Sequence, residues 1–229
     1  SQEILDRSIS YFEGNGHYSY RKLNKGNSTS FKVAPTSGYK LESVSCTNSN
    51  ASYNESNDTL TINNITGDVQ CSVKFRKLTA SEKTLKKLGL SSNTGTPNFS
   101  QVATTNEGIY AAQDDYGTSY YFRGAVTNNY VKFAGYYWRI IRINGDGSIR
   151  MIYDGTSAHA NGESSSDRQI GTSAFNGSYK DNAYVGYMYG SIGASSYSAT
   201  HANTNSSTIK RTVDNWYKTN IVDAGYSDK

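Results

Sequence analysis

The chain has 229 residues, of which 35% are hydrophobic, 13% aromatic and 18% charged, and its formal net charge is +4. Ser, Thr and Asn number 32, 21 and 22, so the polarity comes from hydroxyls and amides more than from charge. Disordered chains are poor in aromatics, and no apolar run approaches the roughly 18 residues of a membrane span, so an unfolded tail, a collagen-like fibre and a transmembrane helix are excluded.

Taken in chain order, residues 1–8 read as a short helix. Residues 9–22 give two short aromatic runs around Gly14-Asn15-Gly16, a hairpin signal that leaves His17 in a tight turn. Strands follow at Ser30–Ala34, Tyr39–Cys46, Thr59–Ile65 and Val69–Phe75, each alternating apolar with polar and bounded by turn residues. Period-two strands at this spacing predict a small β-sandwich over residues 1–78. Thr79-Ala80-Ser81-Glu82 has the spacing of a capping box, so a short helix is expected over Glu82–Leu88, stopped by Gly89. This helix and a polar linker occupy residues 79–99, with linker character running on to about residue 108.

A second domain, residues 100–229, holds 15 of the 20 tyrosines and both tryptophans. Strands are expected at Ser119–Phe122, Tyr130–Phe133, Tyr136–Ile143 and Ser148–Tyr153, the last two joined by the turn Asn144-Gly145-Asp146-Gly147. Both faces of Tyr136–Ile143 carry apolar residues, as in a central strand. An alternating Tyr184–Tyr189 reads as a further strand. Ser207–Asn220 reads as a helix with Ile209, Val213, Trp216 and Tyr217 on one face. The fold class is therefore mainly β with some α (α+β).

The basic excess lies in residues 1–90, with 12 basic and 8 acidic side chains against 11 of each beyond. Lys74, Arg76, Lys77, Lys83, Lys86 and Lys87 face only Glu82, but they sit at a domain junction and match no nucleic-acid module. No nucleic-acid partner is expected. Cys46 and Cys71 lie on two strands of a domain with little core, which favours a disulfide worth roughly 3 kcal/mol over two buried thiols.

Catalytic and metal patterns are weak. His17, His159 and His201 are not read as zinc ligands, and no metal or cofactor is expected. Asp154, His159 and a serine make a triad only on paper, without a Gly-x-Ser-x-Gly turn. Asp114-Asp115 reads as an exposed pair. Asn144, Asp146 and Ser148 imitate the start of a calcium loop that fails at Ile149 and Gly155. Residues 153–205 mix Gly, Ser, Asn and Ala with Tyr179, Tyr184, Tyr187, Tyr189 and Tyr197, the composition of an antibody paratope, and these tyrosines are the candidate ligand-binding residues. Tyr184, Tyr187 and Tyr189 read first as strand residues, the latter two sharing a face, while Tyr179 and Tyr197 are expected to be exposed.

Val33–Tyr39, Val44–Asn48, Leu60–Ile65 and Cys71–Phe75 resemble the divergent internalin-type B repeats of Gram-positive surface proteins, over residues 9–77. That resemblance implies an Ig-like or β-grasp-like domain working as a spacer or adhesive repeat. Tyr121–Gly124, Asn128–Phe133 and Trp138–Gly147 are similar to a domain of surface and pilin-like proteins from gut Firmicutes and Mollicutes-like bacteria. More distantly, this region resembles C-type-lectin-like domains. The lectin calcium motifs are absent, so calcium-dependent sugar binding is not implied. Such relatives continue past Trp216–Lys229 with strands that close the sheet, and no leader precedes Ser1, so the chain is expected to be a fragment with an incomplete second domain. Together these likenesses imply an extracellular, non-enzymatic adhesion or ligand-binding protein of the bacterial cell surface. Its partners would be a host glycan, a matrix protein or neighbouring surface subunits. The alternatives are a glycan-acting enzyme using Asp and Glu of the second domain, or a pilin-like subunit.

Overall fold

The structure, a computed structural model, describes the backbone of residues 3–10 and 17–24, and residues 26–160, 162–178 and 184–227 in full. It is mainly β, with several sheets and few helices. Two compact units are present, Ser1–Leu90 with Gly145–Gly147, and the remainder.

In the first unit, β1 (Glu3–Ser10), β2 (His17–Asn24), β4 (Tyr39–Cys46) and β7 (Val69–Lys77) form a sheet in the order β2-β1-β7-β4. A second sheet, β3-β6-β5, joins Thr29–Lys32, Thr59–Asn63 and Asn50–Asn54. Alternation along β6 and β7 turns Leu60, Ile62, Val69, Cys71 and Val73 into one core with Val33 and Ile65, each no more than 6% exposed. The expected helix at residues 1–8 is instead strand β1, antiparallel to β2 and parallel to β7. A helix so short is marginal in water, whereas flanking strands offer its backbone partners on both sides. His17 opens β2 instead of sitting in a turn; Gly14-Asn15-Gly16 lies outside the described residues.

The helix α1 spans Ala80–Lys87, and its capping box is formed. Thr79 Oγ1 accepts from the Glu82 N–H at 3.3 Å, and Glu82 Oε2 accepts from the Thr79 N–H at 2.9 Å. Glu82 also receives both terminal nitrogens of Arg76 at 2.7 Å and Lys40 at 3.1 Å. The Arg76 guanidinium, ahead of the other contacts, holds its carboxyl down at about 2.

In the second unit, β8 (Asn106–Asp114) pairs with β9 (Gly117–Gly124), so residues 106–108, read as linker, already belong to a strand. The polar run before it is pinned by Arg123, which donates to the carbonyls of Asn98 and Gln101, both at 2.9 Å. Next come β10 (Tyr130–Phe133), β11 (Tyr136–Ile143) and β12 (Ile149–Gly155). β12 follows one side of β11, while β10 and β9 share the other side, meeting it at Tyr136–Arg139 and Arg142–Ile143 respectively. Asn129 bridges the gap between them. Its carbonyl accepts the Ile140 N–H at 2.8 Å, and its side-chain amide donates to the Ile140 carbonyl at 3.1 Å.

Two bulges interrupt the β11–β12 ladder, one between Ile140 and Arg142 and one opposite Tyr137/Trp138. The second leaves Asp154 as the extra residue of β12, since Trp138 faces Tyr153 and Tyr137 faces Gly155. One face of the sheet is aromatic. Tyr136, Trp138 and Tyr153 surround Trp216 of α3 (Thr208–Tyr217), with ring centroids 5.3–6.3 Å away. Tyr217, expected on the same face as Trp216, is 50% exposed. Positions 209, 213, 216 and 220 already fill that face, which leaves residue 217 at its margin. A π-helical turn, Lys218–Val222, continues the helix, and Tyr136 donates its hydroxyl to Asn220 Oδ1 at 2.7 Å.

Candidate functional site

Alternation along β11 puts Arg139 on the face opposite Trp138, and there Asp154, His159, Glu163, Asp167 and Arg168 gather around it. Arg139 donates through Nε to Asp154 Oδ2 at 3.0 Å, and through its terminal nitrogens to the carbonyls of Val126 (3.2 Å) and His159 (2.6 Å) and to the Tyr130 hydroxyl. The guanidinium also lies 4.2 Å from the Tyr130 ring centroid. Asp154, 2% exposed, takes Arg168 on its other oxygen, through Nε at 2.9 Å and a terminal nitrogen at 2.8 Å. Burial raises its pKa, but Arg139, Tyr130 and Arg168 outweigh burial, and the carboxyl is held below the usual range. Burial, ahead of a hydrogen bond with Asp154, pushes the Tyr130 phenol up.

The chain beyond β12 folds back onto this face. His159, 5% exposed, is anchored by its backbone, its N–H donating to the Tyr130 hydroxyl at 3.0 Å while its carbonyl receives Arg139. Its ring lies between two carboxylates, with Nδ1 3.0 Å from Glu163 Oε1 and Nε2 2.8 Å from Asp167 Oδ1. Asp167 precedes Arg168 in a 3-10 turn, Ser166–Arg168. It also accepts the backbone N–H groups of Thr156 (3.0 Å) and Ser157 (3.3 Å), both their hydroxyls, and the Ser165 hydroxyl. The Ser165 hydroxyl first, then the imidazole, draw its carboxyl far below the usual range. Asp167 and Glu163 hold the imidazole above its ordinary value of 6.5. Gly155 makes room here: at φ +117° it has no Cβ, and one would stand 2.7 Å from Asp167 Oδ2 and 3.0 Å from His159 Nε2.

The triad on paper is not assembled as written. Asp154 pairs with the two arginines, and the carboxylates on His159 are Glu163 and Asp167. Ser157 Oγ does lie 3.3 Å from His159 Nε2, with Glu163 on the far nitrogen. Yet Nε2 is turned to Asp167, and the Ser157 hydroxyl donates to that carboxylate at 3.2 Å. With Nε2 committed to Asp167 and Nδ1 to Glu163, neither ring nitrogen is turned to take the serine proton. What the arrangement does is brace the loop to the sheet. Glu163 is the partner that the sequence reading misses, and its i, i+4 spacing from His159 is the local signal for it.

The other candidate residues are scattered. Cys46 and Cys71 are directly opposed across β4 and β7 and are bonded. Tyr184 and Tyr189 are half-buried with ring centroids 5.0 Å apart. The expected strand from Tyr184 shrinks to Met188–Tyr189 (β13), paired with Asn205–Ser206 (β14), because Gly186 turns the chain at φ +98° and the Tyr184 carbonyl receives the Asn176 amide at 2.6 Å. Tyr187 is 45% exposed, with the Lys210 ammonium 5.9 Å from its ring. Tyr197, opening the single turn α2 (Tyr197–Thr200), is 79% exposed and stacks on His201 at 4.0 Å. Tyr179 lies outside the described residues.

The false calcium loop is a hairpin turn, in which Asn144 bonds Ser148 through backbone and side chain, both at 2.8 Å. Among the described residues no cluster of three or more His, Cys, Asp or Glu is arranged to hold a metal ion, and no helix is long and apolar enough to cross a membrane. Compared with known protein families, curated proteins and solved structures, the chain has no match.

Proposed function

We propose that this chain belongs to an extracellular bacterial surface protein, in which a disulfide-stapled unit of the internalin B-repeat type carries a C-type-lectin-like recognition unit. The recognition unit binds a host glycan or matrix protein and performs no chemistry on it. The observation that carries this reading is the set of apolar and aromatic side chains held out on hydroxyl- and amide-rich loops: Val185 at 64%, Tyr187 at 45%, Ile192 at 49% and Tyr197 at 79% exposure. Exposed rings of this kind suit the faces of sugars and the side chains of peptides. The Cys46–Cys71 bond fits an oxidising compartment. The engagement of both His159 nitrogens argues against hydrolysis at the one serine–histidine contact described above.

The test is a screen of the purified chain against glycans and matrix proteins, repeated with Tyr187→Ala and Tyr197→Ala. Loss of binding at least tenfold in either variant, with the near-ultraviolet circular dichroism unchanged, supports the site. Binding untouched by both changes moves it elsewhere. One observation favours assembly with neighbouring subunits as a second reading: among the described residues, β12 has a strand partner on one side only. Concentration-dependent oligomerisation, abolished by proline at Ile152, would support that reading over the first.

A further inference from the structure

The groups gathered on the Arg139 face are balanced in charge only in one protonation state. Three carboxylates, Asp154, Glu163 and Asp167, meet two guanidinium groups, Arg139 and Arg168, so the sum is zero only if His159 is an imidazolium. The hydrogen bonds require the same. Each ring nitrogen faces a carboxylate oxygen at 2.8–3.0 Å, and a neutral imidazole has one N–H to give.

We infer that His159 is a proton-operated catch, which ties Glu163 to the sheet when doubly protonated and lets it go on losing the proton from Nδ1. The two carboxylates are unequal, and this decides which is released. Asp167 keeps the Thr156 and Ser157 backbone N–H groups and three hydroxyls. Glu163 has, besides the ring, the Ala160 N–H on Oε2 at 3.0 Å, and its side chain is 47% exposed. The proton therefore leaves Nδ1 for water and the Nε2–H stays on Asp167. The Nδ1 lone pair then faces Glu163, which turns out to solvent and drops the Ala160 N–H.

The groups packed around the ring oppose any other outcome. From β10 the Tyr130 hydroxyl holds the His159 N–H, from β11 Arg139 holds its carbonyl, and from β12 Asp154 holds Arg139 and Arg168. The Glu163 carbonyl still receives Arg168. Release thus loosens the side-chain tie of Glu163 without detaching the loop.

The sign follows from the two ends of the contact. The histidine is raised, so the tie is complete below its ordinary 6.5 and is lost as pH rises through the raised value. Glu163 is lowered, first by the imidazole, so on the acid side the tie persists below its ordinary 4.5 and fails only as pH falls through the lowered value. The catch opens as pH rises above the ordinary 6.5 and through the raised value.

The test is nitrogen-15 and proton NMR of the whole chain across that range. The expected result is a His159 midpoint above 6.5, an Nε2–H tautomer at high pH, and an Ala160 amide shift moving with the same midpoint. Glu163→Gln, a change at a half-exposed position, should lower the midpoint, keep the tautomer and flatten the Ala160 response. A midpoint at or below the ordinary value, an Nδ1–H tautomer, or an Ala160 amide that ignores the histidine would each overturn the inference.

Discussion

Replacing Asp154 by Asn tests the bracing of the second unit most directly. The side chain is 3% exposed and its oxygens receive Arg139 at 3.0 Å and Arg168 at 2.8 Å. Asparagine keeps the volume, but one oxygen becomes an NH₂ that cannot accept from a guanidinium, and the negative charge is gone. Arg139, 11% exposed, then keeps the carbonyls of Val126 and His159 but loses the charge of this carboxylate. Breaking a buried pair from one side costs about 3–5 kcal/mol. Arg168 is 28% exposed and can turn to water, so the lower end, about 3 kcal/mol, is expected. Trp138 and Trp216 both lie in the second unit, so tryptophan emission during urea unfolding reports on that unit alone. With a slope of about 1–3 kcal/mol per molar urea, the midpoint should fall by roughly 1–3 M. A fall of less than about 0.3 M at unchanged slope would refute the claim that Arg139 depends on this carboxylate.

Three further outcomes are expected. Replacing Cys46 and Cys71 together by Ala should cost the first unit about 3.5 kcal/mol for a sequence separation of 25, lowering its melting temperature by roughly 15–25 °C, as read by calorimetry; intact mass without reductant should show no thiol in the parent chain. Glu82→Gln should unseat the α1 cap and abolish an acid transition of the first unit; in the parent chain this contribution is present above 4.5 and lost as pH falls through about 2, which far-ultraviolet circular dichroism can follow. Gly155→Ala should strain a backbone at φ +117° and crowd Asp167 and His159, lowering stability by about 1–3 kcal/mol and shifting the His159 resonances while the Trp216 cluster stays intact.

Where periodicity was strong, the fold could be read from the chain: β10 and β11 begin and end as expected, and Thr79 with Glu82 marks the start of α1. β5 escaped because only Ala51 and Tyr53 alternate in Asn-Ala-Ser-Tyr-Asn, and its place depends on pairing with β6. Residues 1–8 carry no strand signal of their own, because the state of β1 is set by two neighbouring strands, one of them about 60 residues further along the chain. Asp154 and His159 were both visible as chemistry-bearing residues. Their partners were not, since a single bulge residue turns Asp154 toward Arg139, and no local pattern announces a bulge.

The bond between Cys46 and Cys71 also sets a limit on length. Under tension applied at the two ends of the chain, force passes from β4 to β7 through sulfur, whatever becomes of β5 and β6. The 25 residues of separation are withheld from extension, about 85 Å of contour at full stretch. A reductant would release that slack, so the reach of the first unit under load depends on the redox state of its surroundings.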